Sequence, residues 1–310
     1  MAVVWITGAH GFIGRHLARQ LAALGQEVCG LGHGAWPESE YRRWGLAHWL
    51  SADVDAANLH RLVRRAAEPA VIFHLAGGSS VGHSYASPAE DFSRTVTTTA
   101  RLLDWVWQTT PASRVVMVSS AAVYGAGHEE PIAEGSQLTP FSPYGHHKAM
   151  AEQLCRSYVE ACGINVSIVR FFSVYGPGLQ KQLLWDSCCR LAKNSALLSL
   201  GGTGEELRDW LYIDDAVRLL TQVWKKDEAR LSIVNGGTGV ATPVADVARL
   251  LIEAWGDHTE VSFSGQCRSG DPLSLIADTT RLAALGFTPE IALPDGIAAT
   301  VAWYKRNCLP

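Results

Sequence analysis

The chain has no excess of positive charge. Its 310 residues carry 26 Lys and Arg against 30 Asp and Glu, a formal net charge of −4. Without a basic face to displace counterions, nucleic acid is not an expected partner. No apolar run reaches the roughly 18 residues that a membrane span needs, so no membrane partner is expected either. The amino terminus, MAVVWITG, has no basic segment and no cleavage pattern, and no secretory leader is expected. The seven cysteines (29, 155, 162, 188, 189, 267 and 308) form no CxxC pair and no Cys/His set at zinc spacing. That argues against a metal site, and an odd number of thiols without a leader predicts a reducing, cytoplasmic setting. The adjacent pair Cys188 and Cys189 reads as packing around a helix. Repeats and low-complexity tracts are absent too.

What is present is globular. Hydrophobic residues make up 47% and charged residues 18%, enough to bury a core and too apolar for a disordered chain. The length suits about two domains, or one large one. The eleven tryptophans are scattered, which suits core and interface anchors better than a platform for stacking bases.

The first half alternates short apolar runs with helical patterns. Strands are predicted at 3–7, 27–31, 70–75, 114–119 and 165–170, and helices at 12–24, 95–109 and 143–162. Continuous rather than alternating apolar runs suit strands buried on both faces, and the alternation with helices predicts a doubly wound parallel sheet. After Arg170 the loops lengthen and become glycine-rich. Thr242 and Pro243 read as N-cap and first residue of a helix. The expected organisation is a dinucleotide-binding domain over 1–171, with 209–238 returning to it. A smaller mixed α/β substrate domain would use 172–208 and 239–310.

Two motifs carry chemistry. Gly8-Ala-His-Gly11-Phe-Ile-Gly14 follows a strand and opens a helix, where glycines allow a tight turn and close approach to a pyrophosphate. Tyr144 and Lys148 lie one helical turn apart on one face. An ammonium there can lower the phenol's pKa, so that the tyrosine exchanges protons near neutrality. Ser120 ends a predicted strand upstream and could hold a substrate oxygen. His146 and His147, between Tyr144 and Lys148, are expected at the surface or against a partner.

GxxGxxG, a strand-terminal serine and YxxxK together resemble the short-chain dehydrogenase/reductases. The length and later segments resemble their extended branch, the nucleotide-sugar epimerase/dehydratase family. The likeness spans nearly the whole chain, through HLAGGSSVGHS (74–84), SSAAVYG (119–125), RFFSVYGPG (170–178), LRDWLYIDDAVR (207–218) and CRSGDP (267–272). It implies a Rossmann-like fold, NAD or NADP as cofactor, a nucleotide-sugar substrate and a homodimer joined through a four-helix interface. It also implies Ser120, Tyr144 and Lys148 as the catalytic set, with Lys148 on the nicotinamide ribose. Cofactor contacts would come from Gly8, Gly11, Phe12, Ile13 and Gly14, from His33 and Asp53, and from Leu75, Ala76 and Gly77. Substrate contacts would come from Ser80, His83, Ser120 and Ser173, with Arg208 and Arg268 as phosphate and nucleotide clamps. In the dimer, Leu102, Leu103, Val106, Leu154 and Tyr158 are the expected contact positions.

The chain departs from the family pattern in places. Gly32 stands where an acidic residue usually binds the NAD ribose, and no arginine adjoins it to bind a 2′-phosphate; the reading leans to NAD. Thr95 and Ser173 replace two usual asparagines. Ala121 and Ala122 occupy the places where the family's 4,6-dehydratases carry an Asp-Glu pair. Alanine moves no proton, which argues against a 4,6-dehydratase; SSAAVYG resembles the family's epimerases more than its reductases, so the resemblance implies a 4-epimerase. A 4-ketoreductase of a 4-keto-6-deoxy nucleotide sugar and a non-catalytic cofactor-binding sensor are the alternatives.

Overall fold

A computed structural model describes residues 1–128, 131–193, 196–256, 259–266 and 272–309. Its centre is a seven-stranded sheet. Six strands come from the first 171 residues: β1 (Val3–Thr7), β2 (Glu27–Gly32), β3 (Leu46–Ser51), β4 (Val71–His74), β5 (Arg114–Ser120) and β6 (Asn165–Phe171). The seventh, Leu231–Gly236, pairs with the outer side of β6. Every pairing is parallel, in the order Leu231–Gly236, β6, β5, β4, β1, β2, β3. The doubly wound α/β expectation is met.

The continuous apolar runs have the predicted cause. In β1, Val4 and Ile6 enter one core cluster while Trp5 enters another, and Phe73 and Ile72 of β4 divide in the same way. Side chains alternate across a strand, so a run apolar at every position feeds two cores. From β1 the chain winds outward to β3, then crosses back and winds the other way from β4. Such a reversal leaves a crevice at the carboxyl ends of β1 and β4, where open α/β sheets bind ligands.

The helix Pro143–Cys162 starts as its sequence suggests. Ser142 accepts a hydrogen bond from the Gly145 N–H, Pro143 occupies the first turn, and Gly163 closes the end at φ +72°. The reading of Thr242–Pro243 as a helix start needs correcting. Those two residues pair antiparallel with Leu207–Arg208, and the helix runs Val244–Trp255 with Pro243 as its cap. Extended pairing absorbs the threonine that would have capped. No helix among the described residues is long and apolar enough to cross a membrane.

Candidate active site

The crevice is a cavity of about 1280 Å³, larger than the roughly 300–1,000 Å³ of a single-ligand pocket. At one end its wall is backbone. Gly8 takes φ +72°, and a side chain on Gly14 would collide with the Gly8 carbonyl. The helix Phe12–Ala23 opens from Gly11 with no side-chain cap, leaving its first-turn N–H groups available to an anion. Leu75, Ala76 and Gly77 line the same wall. Behind it, the Thr7 hydroxyl lies 2.7 Å from His74 Nδ1, and His74 Nε2 lies 3.1 Å from Thr99 Oγ1. Burial, helped by Lys148, pushes the His74 pKa down to about 3, so this imidazole is a neutral strut. At the end of β2, His33 Nε2 stands 3.0 Å from Asp53 Oδ1. An uncapped helix start, a glycine cradle with no room for side chains and a polar corner at His33–Asp53 fit a dinucleotide.

At the other end the wall is side chains. Ser120 ends β5 and caps the short turn Ala121–Val123, accepting from the Ala122 N–H at 3.2 Å. The Tyr144 N–H donates to Ser84 Oγ at 3.0 Å, which fixes the first turn of its helix. Lys148 Nζ donates to the Val118 carbonyl at 3.0 Å and lies 5.9 Å from the centre of the Tyr144 ring. Burial raises the Tyr144 pKa; its hydrogen bond with Ser120 works against that, and the charge of Asp91 adds to it. The sequence-based expectation of a lowered phenol pKa is therefore not met, because burial outweighs the favourable contacts. The Lys148 pKa falls to about 8, again through burial, with Asp91 and Glu152 opposing and Lys181 assisting.

A buried ionic scaffold holds this wall. Arg170 on β6 grips Glu152 through Nε at 3.0 Å and Nη2 at 2.6 Å. Glu152 also accepts from Ser119 at 2.6 Å. Arg170 Nη1 donates to the Tyr124 hydroxyl at 2.9 Å, and that hydroxyl donates to Asn235 Oδ1 at 2.6 Å. These bonds tie the loop after β5 to the strand Leu231–Gly236.

Most expected site residues share the cavity. Ser80, Ser173 and Arg208 line it together with the cradle and Ser120, Tyr144 and Lys148. Ser80 caps the helix Val81–Ala86, and Arg208 Nη1 donates to the Leu207 carbonyl at 2.8 Å. His83 is not among the lining residues; its Nε2 turns 3.5 Å from Glu90, whose carboxylate draws it away. Arg268 lies outside the described residues. His146 is exposed as expected, but His147 is buried, its Nδ1 2.6 Å from Asp91. Leu102, Leu103 and Val106 are wholly buried in the subunit's own core, so they cannot supply a subunit interface. Leu154 and Tyr158 are half-buried and stay available, and Phe92, Trp107 and Met150 are exposed.

Sequence reasoning missed Arg15, Arg94, Arg101 and Lys181, all on the cavity wall. Lys181 donates to the Ser79 carbonyl at 2.7 Å. Its position in YGPGLQKQ, beside the cavity-forming RFFSVYGPG segment, was the available signal.

The chain matches the NAD dependent epimerase/dehydratase family over residues 4–237, and it belongs to that family. Among curated proteins it is 27% identical to a putative UDP-glucose 4-epimerase of Methanocaldococcus jannaschii, covering 98% of this chain and 99% of that one. It is 30% identical to a dTDP-glucose 4,6-dehydratase of Streptomyces griseus, covering 97% and 94%. Among solved structures, MoeE5 in complex with UDP-glucuronic acid and NAD superposes with a TM-score of 0.87 at 30% identity, covering 98% of this chain and 99% of that one.

Proposed function

We propose that the protein is an NAD-dependent nucleotide-sugar 4-epimerase acting by transient oxidation at the sugar C4. One observation carries the choice of reaction. Ser120, Tyr144 and Lys148 converge on the cavity, Ala121 and Ala122 follow Ser120, and Asp53 is the one carboxylate among the described lining residues. That leaves the reacting end with a tyrosine and no second acid–base pair of the kind that eliminating water requires. The similarity to a dehydratase therefore does not extend to the residues that would remove water.

The glycine cradle at Gly8–Gly14 would hold the nicotinamide cofactor, which would supply the hydride acceptor and donor that inversion at C4 needs. The protein's own residues do the rest. Ser120 orients the C4 oxygen, and Tyr144 accepts its proton and later returns it. Lys148 supplies the positive charge that favours the tyrosinate. Arg208, with Arg268, would hold the diphosphate.

At the end of β2 Gly32 stands in place of the usual ribose-binding carboxylate, which removes one source of repulsion for a 2′-phosphate; NAD is preferred because the solved relative carries it. We also propose the division into 1–171 with 209–238 and 172–208 with 239–310. A homodimer would pack helices Thr98–Thr109 and Pro143–Cys162 through the half-buried Leu154 and Tyr158, with the exposed Trp107 and Met150 beside them. The described cysteines are all free thiols, in keeping with the cytoplasm.

The test is turnover of UDP-glucose and UDP-glucuronic acid by the purified protein with NAD. The expected result is C4 isomerisation with no net change in reduced-nicotinamide absorbance. Stoichiometric oxidation of NADPH by a 4-keto nucleotide sugar, without isomerisation of any 4-hydroxy sugar, would replace this reading with the ketoreductase.

A further inference from the structure

In a dinucleotide-binding sheet, a carboxylate about 20 residues beyond the glycine turn hydrogen-bonds the adenosine ribose 2′-hydroxyl. Here that place is the end of β2, and it is bare at Gly32. Aromatic packing has taken the space. A Cβ on Gly32 would stand 3.3 Å from Trp49 Cη2 and 3.4 Å from Gly8 Cα. Trp49, from β3, packs edge-on against Trp36 with ring centres 5.4 Å apart, and the His10 ring lies 4.6 Å from that of Trp36.

The negative charge comes back from β3. Gly32 pairs with Ser51, and the Ala52 N–H donates to the Gly32 carbonyl at 2.7 Å. Asp53 therefore emerges beside the end of β2. His33, the residue after Gly32, brings its Nε2 to 3.0 Å from Asp53 Oδ1. Both residues are also tied through their backbone carbonyls. His10 Nδ1 lies 3.3 Å from that of His33, and Asn58 Nδ2 donates to that of Asp53 at 3.2 Å. The Asp53 carboxylate is 69% exposed on the cavity wall, so a ligand can reach it. Arginines of neighbouring elements are engaged elsewhere: Arg15 donates to the His10 carbonyl at 2.8 Å, and Arg42 is held by Glu38 at 3.0 Å.

We infer that Asp53, positioned by His33, selects the cofactor: its carboxylate accepts the ribose 2′-hydroxyl of NAD and repels the 2′-phosphate of NADP. The inference rests on the glycine cradle holding a nicotinamide dinucleotide, and not on which reaction follows. A carboxylate takes a hydroxyl proton in a charge-assisted hydrogen bond, but it offers a phosphate only like charge. His33 is a positioning residue. Its hold on Oδ1 fixes a rotamer that an exposed side chain would otherwise leave free, and leaves the second oxygen for the ribose.

Fluorescence titration of the full chain with NADH and with NADPH, without any sugar, reads the ratio of the two Kd values. The wild type should favour NADH at least about tenfold, the size of one hydrogen bond to a charged group. Asp53→Asn keeps the shape and loses the charge, and should shrink that preference about tenfold, chiefly by tightening NADPH. Equal weakening of both, as a contact with the adenine they share would give, overturns the inference. So does equal binding of the two by the wild type. Binding of neither by the wild type overturns the dinucleotide site itself, and this inference with it. His33→Ala should move the ratio the same way by about threefold, and His33→Gln, which keeps a donor near the Nε2 position, should restore it. In Asp53→Asn, His33→Ala should add nothing. A further shift there, or NADPH weakened by His33→Ala alone, shows His33 acting on the phosphate and overturns its positioning role. Both side chains are more than two-thirds exposed, so the thermal midpoint should hold in every variant.

Discussion

The two ends of the cavity are made of different material. One is backbone, a turn and a helix start drawn from the neighbouring residues Gly8–Gly14. The other is side chains, carried by β5, the helix Pro143–Cys162, the segment after β6 and the strand Leu207–Arg208. A backbone wall is set by where side chains are missing and needs little support beyond its own turn. A wall of side chains is only as exact as what fixes each rotamer, which here is the scaffold around Arg170 and Glu152. The first end should therefore fail through added bulk, the second through lost partners.

The largest effect should come from the scaffold. Arg170→Met leaves Glu152 buried without its guanidinium, and stability should fall by about 3–5 kcal/mol in urea unfolding. A loss below about 1 kcal/mol would mean that the side-chain end does not depend on this pair. Next is Tyr144→Phe, which should lower kcat at least ~100-fold while the thermal midpoint and cofactor binding hold. Near-normal turnover would erase the chemical difference between the ends. At the backbone end, Gly14→Ala should weaken NAD binding about tenfold, or ~1.4 kcal/mol, in a fluorescence titration. Equal binding would show that the cradle can widen.

The smallest effect near neutrality is the pH dependence of Lys148. Its pKa in the folded chain is about 8, against 10.5 for the ordinary side chain. Between those values the unfolded chain holds the proton that the folded chain has released, so this residue's contribution to stability rises with pH. Activity should fall over the same range as the ammonium is lost. Opposite slopes in a melting series and a rate series are the expected signature; parallel slopes would take Lys148 out of the chemistry.

Legibility in the sequence followed the same division. The cradle could be read directly, because its strand, turn and helix are contiguous. The central strands β1, β4, β5 and β6 were legible within a residue or so, since burial on both faces leaves an unbroken apolar run. Tyr144 and Lys148 were legible through helical spacing. The scaffold was not: Arg170, Glu152, Tyr124 and Asn235 lie far apart in the chain, and nothing local marks them as partners. His147 was misjudged for that reason, since its burial depends on Asp91, which lies on a different helix. The pKa direction of Tyr144 was missed because spacing shows a neighbouring charge but not the depth of burial.

The outer neighbour of β6 has a consequence for biosynthesis. Val166, Ile168 and Val169 of β6 are fully buried, yet the strand that covers that edge, Leu231–Gly236, is made only after the intervening chain. At ribosomal rates that is on the order of several seconds. During that interval β6 is an open, apolar edge with unpaired N–H and C=O groups, a template for another nascent chain. Tyr124 waits as well, since its acceptor is Asn235. A chain stopped before Leu231 would carry the whole glycine cradle and every proposed catalytic side chain, and it would aggregate through an edge that the finished protein never exposes.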